Sequence, residues 1–169
     1  MKITHISLIG IFTDNWTYQE NLLTKYHKII GYDVSLITSK FIYDNNGNII
    51  KDKREIYIND DGVKIIRLNI KGNKSFNYKF KKYKDLYSAI ESECPDILFI
   101  HGCQFIDISV IVKYVRLHKN VKVYVDNHAD FSNSASNWLS RNILHKVIWK
   151  YHAHKIEPYV TKFFGVLPA

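Results

Sequence analysis

The sequence predicts an α/β protein in which a mostly parallel β-sheet is covered by helices on both faces. Two observations support this fold class. Segments with helical spacing alternate with strand-like segments along most of the chain. Several of the strands, such as residues 97–101 (ILFIH), are apolar over nearly their whole length, which is typical of parallel strands buried on both faces. The expected architecture is therefore a doubly wound sandwich.

Length and composition predict one globular domain over residues 1–169. The chain is 46% hydrophobic, which is enough to bury a core without disulfides or metals. Its formal net charge of +8 suits anionic partners but does not select among them. The lysines occur together with many Ile, Asn and Tyr residues, so codon bias is an equally good explanation. They are also scattered, and no nucleic-acid-binding motif is present, so we expect no nucleic-acid partner.

Cysteine content and the N-terminal segment indicate a cytoplasmic protein. Cys94 and Cys103 are too few for a disulfide framework, which favours a reducing compartment. The short apolar run at the N-terminus is followed by Asp14 and Asn15 without a cleavage site, so it reads as a first strand and not as a signal peptide. No apolar run approaches the roughly 18 residues of a spanning helix. Any membrane contact is therefore expected to be peripheral, at the inner face.

The opening of the chain predicts a strand, a helix and a second strand. The strands cover residues 2–9 and 32–38, and the helix runs from Thr17 to Ile30. Thr17 and Glu20 match a capping box, and Gly31 stands where a left-handed residue commonly ends a helix. The apolar residues at helical spacing are Leu22, Tyr26, Ile29 and Ile30.

Residues 41–68 have a different sequence pattern from the rest of the chain, and this pattern predicts an antiparallel hairpin excursion. Asn46-Gly47 and Asp61-Gly62 separate short apolar runs, and such dipeptides favour tight turns between antiparallel strands. The segment 63–69 then returns to the main sheet.

The second half of the chain is regular. Helices are predicted at about 79–92, 105–118 and 136–156, with strands at 97–101, 121–126 and 162–167. The last helix has two interpretations. Its apolar stripe, Leu139, Ile143, Val147, Ile148 and Tyr151, is typical of a core-facing helix with a solvated basic face. Its basic residues, together with Trp138 and Trp149, would also suit an anionic membrane surface.

Polar residues follow three of the predicted strands. Ligands of doubly wound proteins bind beyond the carboxyl ends of the strands, so these residues are expected to share one edge of the sheet. The predicted substrate-binding residues are Gly10, Asn15, Gln19, His101, Gly102 and Asn127. The predicted catalytic residues are His128 and Asp130.

Each of these residues also has a structural interpretation. Gly10 either turns the chain or lets a phosphate or sugar approach the backbone. His128 suits proton transfer or a polar contact, but it could also be a buried hydrogen-bonded residue. Asp130 could orient that imidazole or cap a turn. A zinc site is disfavoured because His101 and Cys103 have an unusual spacing and no second cysteine pair exists, so neither a metal nor a cofactor is expected.

The order of these segments resembles the N-terminal half of GT-B glycosyltransferases of the group 1 type, also called family 4. The resemblance covers essentially the whole chain. It rests on the first strand and the Gly10 loop leading into residues 17–38 (TYQENLLTKYHKIIGYDVSLIT), on residues 95–102 (PDILFIHG), and on residues 124–130 (YVDNHAD). The last segment is similar to the family's strand ending in His-Asp, except that Ala129 separates the two residues here.

The resemblance implies a Rossmann-like domain that binds the acceptor of a retaining glycosyltransferase. In that family a second domain holds the nucleotide sugar, and nothing like it occurs in this sequence. The chain is therefore expected to be half of a longer protein and inactive alone. The implied partners are that second domain, a nucleotide sugar, and a glycan or lipid-linked acceptor. His128 would contact the transferred sugar, and Gly10 would lie near the donor phosphates. The alternative is a stand-alone binding module for a phosphorylated or anionic ligand.

Overall fold

A computed structural model describes residues 1–72, 80–127 and 147–165. Its strands are β1 (Lys2–Ser7), β2 (Asp33–Ser39), β3 (Phe41–Tyr43), β4 (Ile49–Lys51), β5 (Ile56–Ile58), β6 (Lys64–Leu68), β7 (Ile97–His101), β8 (Lys122–Asn127) and β9 (Lys162–Gly165). Its α-helices are α1 (Gln19–Ile29), α2 (Leu86–Glu93), α3 (Ile108–Leu117) and α4 (Lys150–Ile156). A short 3₁₀ helix (Glu157–Tyr159) follows α4.

Within the described residues, seven strands form one sheet in the order β5-β6-β2-β1-β7-β8-β9. All neighbouring strands are parallel except β5 and β6. Apart from β5, this is the strand order of dinucleotide-binding α/β folds. The predicted Rossmann-like, doubly wound architecture is confirmed. The order of the strands reverses between β1 and β7, so a ligand is expected near the carboxyl ends of these two strands.

The predicted antiparallel excursion is also confirmed. Strands β3 and β4 form a separate hairpin, and β5 pairs antiparallel with β6 before the chain rejoins the sheet. At the hairpin turn Gly47 has a positive φ of 79°, and the backbone N–H groups of Asn46 and Asn48 donate to the Asp44 carboxylate. This turn positions β3 beside the loop that follows β1.

One face of the sheet is apolar and is covered by α2, α3 and α4. The strands contribute fully buried side chains, among them Ile6, Ile37, Leu98, Ile100 and Val123. The helices contribute Leu86, Ile90, Ile108, Ile111, Val115 and Ile156. Because successive strand residues point to opposite faces, the residues between these belong to the other side of the sheet.

The opposite face is mixed in character. Its apolar cluster is smaller and consists of Phe12, Val34, Leu36, Val63 and Ile65. Several other positions on this face are polar and buried. His5 lies on β1, Arg67 on β6, His101 on β7 and Asp126 on β8. Helix α1 lies over this face, since His27 of α1 bonds to His5.

Helix α1 differs from the prediction at its N-terminus and on its surface. It begins at Gln19, and its N-cap is Tyr18 without a side-chain hydrogen bond, so the capping box of Thr17 and Glu20 was wrong. The apolar residues at helical spacing are exposed: Leu22, Tyr26, Ile29 and Ile30. The buried side of the helix carries Asn21, whose amide donates to the carbonyl of Thr13, and Thr24, whose hydroxyl donates to carbonyls of the helix itself.

The C-terminus of α1 agrees with the prediction. Gly31 has a φ of 95°. Its N–H donates to the carbonyl of Lys28, and the N–H of Tyr32 donates to the carbonyl of His27. This pair of hydrogen bonds is the Schellman motif that a glycine at this position favours.

Helix α2 differs from its predicted range. It begins at Leu86, not near residue 79, because Tyr83 forms a β-bridge with Ile70 and donates its N–H to the carboxylate of Asp107.

The predicted last helix is described only from residue 147 onward, so Trp138, Leu139 and Ile143 lie outside the described residues. Val147 and Tyr151 were predicted to face the core but are exposed, so this part of the apolar stripe was wrong. Ile156 is buried instead. Among the residues that the structure describes, no helix combines the length and the hydropathy that a membrane crossing requires.

Candidate functional site

A pocket of about 410 Å³ lies at the carboxyl edge of the sheet, next to the end of β1. Its walls come from the loop after β1, the first turn of α1 and strand β3. Residues that line it include Ser7, Gly10, Tyr18, Gln19, Asn21 and Tyr43. The pocket therefore lies at the edge where the strand order predicts a ligand.

Gly10 contributes open space to this pocket. A Cβ atom built on Gly10 would meet no other atom within 4 Å, so packing does not require a glycine at this position. Its φ is also outside the positive region. The missing side chain instead leaves the backbone open to a bound molecule.

The first turn of α1 supplies hydrogen-bond donors to the same region. The first N–H groups of a helix have no partner within the helix, and the N-cap Tyr18 provides no side-chain acceptor for them. Glu20 places a carboxylate in this turn, where it interacts favourably with the helix dipole.

Aromatic rings form one wall of the pocket. The ring of Trp16 stacks on Tyr43 with a centroid distance of 5.2 Å and an interplanar angle of 5°. Tyr18 packs against the same indole at 5.4 Å. Tyr18 and Tyr43 thus offer flat apolar surfaces, each with a hydroxyl at its edge.

A buried arginine holds the loop that forms the pocket. The guanidinium of Arg67 donates to the carbonyls of Phe12 and Ser39, at 3.2 and 3.0 Å, and to the hydroxyl of Tyr57. Its Nε lies 3.0 Å from the Asp52 carboxylate. Arg67 therefore connects the loop after β1 to the end of β2 and to the middle residue of β5.

Two carboxylates balance the charge of this cluster. Asp52 accepts from Arg54 as well as Arg67, and Asp14 accepts from Arg54 and Tyr57. Burial acts to raise the pKa of Asp52, but the hydrogen bonds from Arg54 and the charge of Arg67 outweigh it and lower that pKa. The cluster is a paired ion network, in which a lone buried charge is avoided.

Beside the pocket, three histidines and one aspartate form a chain of hydrogen bonds under α1. Nδ1 of His101 lies 2.8 Å from Oδ2 of Asp126. Nε2 of His101 lies 3.0 Å from Nδ1 of His5, and Nε2 of His5 lies 3.0 Å from Nδ1 of His27. Gln19 joins this chain to the pocket, because its amide donates to the Asp126 carboxylate at 3.5 Å, the long limit of a hydrogen bond.

Burial shapes the protonation of this chain. Burial, and next the neighbouring His101 and His27, lower the pKa of His5 well below its usual value. Burial and His101 also lower the pKa of His27.

Cys103 lies near Asp126 but is not part of the histidine chain. Burial and then Asp126 raise the pKa of Cys103 to about 12, so its thiol remains protonated and is a poor nucleophile at neutral pH.

The structure brings several of the predicted site residues together. Gly10 and Gln19 line the pocket, and Gln19 connects it to the pair of His101 and Asp126. Gly102 is buried and has a φ of 78°. A Cβ there would lie 2.5 Å from Cδ1 of Ile9, so this glycine is explained by backbone conformation and packing.

Of the other predicted site residues, one lies away from the pocket and three have side chains outside the described part of the chain. Asn15 is exposed and donates to the Asp60 carboxylate, which ties its loop to the turn before β6. Asn127 ends β8, and its side chain is outside the description. His128 and Asp130 lie outside the described residues, so their catalytic roles stay predictions.

The sequence reading missed the polar residues of the buried strands. His5, Arg67 and Asp126 each lie within a strand, next to apolar residues. The alternation of side chains along a strand is the sequence signal that could have identified them, because their neighbours in the strand face the apolar core and they must therefore face the opposite side. The predicted site residues came from the loops that follow the strands, so these three were not among them. In the part of the chain that is described, no group of three or more His, Cys, Asp or Glu residues is arranged to hold a metal ion.

Comparison with models of known protein families finds no match, and comparison with curated proteins finds no significant one. Any functional assignment therefore depends on the geometry of the pocket and its neighbours.

Proposed function

We propose that the chain is the acceptor-binding, N-terminal half of a retaining GT-B glycosyltransferase, and that a saccharide acceptor binds in the pocket beside β1. In this proposal a second domain supplies the nucleotide sugar, and the acceptor is a glycan or a lipid-linked sugar. The chain alone binds but does not transfer.

The observation that carries this proposal is the composition of the pocket. Aromatic rings of Tyr18 and Tyr43 can pack against the apolar faces of a sugar ring. The hydroxyl of Ser7, the amide of Gln19 and the backbone at Gly10 can bond to sugar hydroxyls. Pockets with apolar walls and a few convergent polar groups are typical of small-molecule sites.

The charges around the pocket favour a neutral ligand over an anion. Among the described residues that line it, none is Lys or Arg. The Glu20 carboxylate lies in the first turn of α1, where it opposes a bound phosphate. A hydroxyl-rich ligand avoids this repulsion and can accept hydrogen bonds from the same helix N–H groups.

Saccharide binding tests the proposal directly. The 169-residue chain would be titrated with a panel of neutral oligosaccharides while the backbone amide resonances are followed by NMR. We expect shifts of Gly10, Gln19 and Tyr43. Tyr43→Ala should weaken binding about five- to tenfold, because loss of a stacking contact with an aromatic ring costs about 1 to 1.4 kcal/mol.

Tyr159→Ala is the matched control, since Tyr159 is also partly exposed but lies beyond α4, outside the pocket. Equal weakening by both variants, or no saccharide shift at the pocket, would contradict the proposal.

The catalytic part of the proposal concerns His128. In the full-length protein, His128→Ala should reduce sugar transfer strongly while leaving acceptor binding to this domain intact. Transfer is measured as release of nucleoside diphosphate. Undiminished transfer by a correctly folded variant would remove the role assigned to His128.

An anion-binding module is the second candidate, because the first turn of α1 has no side-chain cap. Titration with inorganic phosphate and with a nucleoside diphosphate separates the two candidates. Shifts of Gln19 and Glu20 that appear with phosphate but not with neutral sugars would favour this module.

A further inference from the structure

The hydrogen-bonded chain under α1 has a defined direction. An ionised carboxylate only accepts hydrogen bonds, so the Asp126 contact requires a proton on Nδ1 of His101. A neutral imidazole donates from one nitrogen and accepts at the other. Nε2 of His101 therefore accepts from Nδ1 of His5, and Nε2 of His5 accepts from Nδ1 of His27. All three imidazoles then carry their proton on Nδ1.

The chain also has one buried end and one end near solvent. His5, His101 and Asp126 are almost completely buried, whereas His27 is only partly buried. His27 lies in the last turn of α1, and Asp126 lies near the carboxyl end of β8 next to Gln19. The hydrogen bonds therefore run beneath α1 from its C-terminal turn, where His27 is partly exposed to solvent, to the edge of the sheet that carries the pocket.

We propose that His27, His5, His101 and Asp126 form a proton relay between solvent and the carboxyl edge of the sheet. A proton from water binds Nε2 of His27, which passes its Nδ1 proton to Nε2 of His5. His5 passes its own Nδ1 proton to Nε2 of His101. His101 becomes an imidazolium paired with the Asp126 carboxylate, while His5 and His27 are again neutral with the proton on Nε2. One proton enters from a hydronium ion, whose O–H bond breaks to leave water, and within the relay only N–H bonds form and break.

The surroundings of the relay fit this assignment. From β7, the ring of Phe99 packs against His5, His27 and His101 and excludes water from the middle of the chain. Among the described residues, the titratable or polar groups that face the relay include Tyr32 beside His27, Gln19 of α1, and Cys103 near Asp126. Among the described residues, Asp126 is the acidic group that contacts the relay, and it contacts His101. A positive charge on the relay is therefore best stabilised on His101.

This inference does not depend on the proposed function, since a proton at this edge could serve any chemistry in the pocket. Its first test is the exchange of the Nδ1 protons of His5 and His101 with water, measured by NMR saturation transfer in the 169-residue chain. His27→Phe keeps a ring against Tyr32 and Phe99 but removes the entry point of the relay. We expect exchange at His5 and His101 to slow by about tenfold or more.

His118→Phe is the matched control, because His118 also packs on a tyrosine ring, that of Tyr114, but is separate from the relay. Slowing in His27→Phe alone supports the relay. Unchanged exchange in His27→Phe, or equal slowing in both variants, overturns it.

A second measurement does not depend on the fold tolerating His27→Phe. Long-range ¹H–¹⁵N spectra report which nitrogen of each imidazole carries the proton. The wild-type chain should show the Nδ1–H form at His5, His27 and His101. In Asp126→Asn an amide oxygen can still accept from Nδ1 of His101, but the negative charge beside His101 is removed. The pH midpoint at which the three histidines take up a proton should therefore fall by about one pH unit or more. An unchanged midpoint in this variant, or a proton on Nε2 instead of Nδ1 in the wild-type histidines, would overturn the relay.

Discussion

The two faces of the central sheet differ in how they are stabilised. The face under α2, α3 and α4 is lined by Ile, Leu and Val side chains that are fully buried. The face under α1 has a smaller apolar cluster and is otherwise held by directed contacts, the Arg67 network and the histidine chain. The first face gains free energy from buried apolar area, whereas the second depends on satisfying polar groups that are out of water.

Because of this difference, one face of the sheet mainly stabilises the fold and the other face carries the candidate site. The pocket and the histidine chain both lie on the polar side or at its carboxyl edge. Buried polar groups contribute little net stability when they are paired, but they hold side chains in fixed orientations. The apolar face can supply the stability that such an arrangement lacks.

The largest expected effect comes from a cavity on the apolar face. Leu98→Ala should lower the free energy of unfolding by about 2 to 5 kcal/mol, because Leu98 is fully buried within the larger apolar cluster. Leu36→Ala is the matched variant, since Leu36 is equally buried but belongs to the smaller cluster. We expect Leu36→Ala to cost less than Leu98→Ala. Urea unfolding measures both, and equal costs would contradict the contrast between the faces.

An intermediate effect is expected from pH and concerns the polar face. The folded-state pKa of His5 lies below the unfolded value of 6.5, so the unfolded chain binds more protons as pH falls below 6.5. Stability is therefore complete above pH 6.5 and decreases below it. Each proton bound only by the unfolded chain costs about 1.4 kcal/mol per pH unit, so the loss of stability grows as the pH falls further below 6.5.

Urea unfolding at a series of pH values checks this slope, and His5→Gln is the informative variant. Removing the imidazole should make the free energy of unfolding less dependent on pH between pH 6.5 and 5. The free energy of unfolding at pH 7 should also be lower than in the wild-type chain. A slope that is unchanged in His5→Gln would show that other groups cause the acid sensitivity.

The two faces also differ in how well they could be predicted. Strands such as 97–101 were placed correctly, because a buried parallel strand is apolar whatever covers it. Gly10, in the loop after β1, and Gln19, at the start of α1, were both predicted at the edge that carries the pocket, because parallel strands bring their carboxyl ends to one edge. Neither inference required knowledge of side-chain partners.

The orientation of α1 could not be predicted in the same way. Its sequence has an apolar stripe at Leu22 and Tyr26 and a polar stripe at Thr24 and His27, and helical periodicity alone favours burying the apolar one. Thr24 is buried and donates its hydroxyl to carbonyls of its own helix. His27 is half-buried because its partner His5 lies far away in the sequence, on the sheet beneath. A pairing of this kind is visible only after the chain has folded.

The smallest expected effect comes from the outer surface of α1. Tyr26 and Ile29 are 57% and 66% exposed, so their apolar area is already in contact with water in the folded chain. Tyr26→Gln and Ile29→Lys should each change the free energy of unfolding by less than about 0.5 kcal/mol. Urea unfolding of both variants, at two protein concentrations, provides the check. A loss above about 1 kcal/mol that grows with concentration would mean that this stripe is covered by another copy of the chain. Without such a loss, the apolar residues of α1 contribute almost nothing to stability, and the helix is held to the sheet by its polar side.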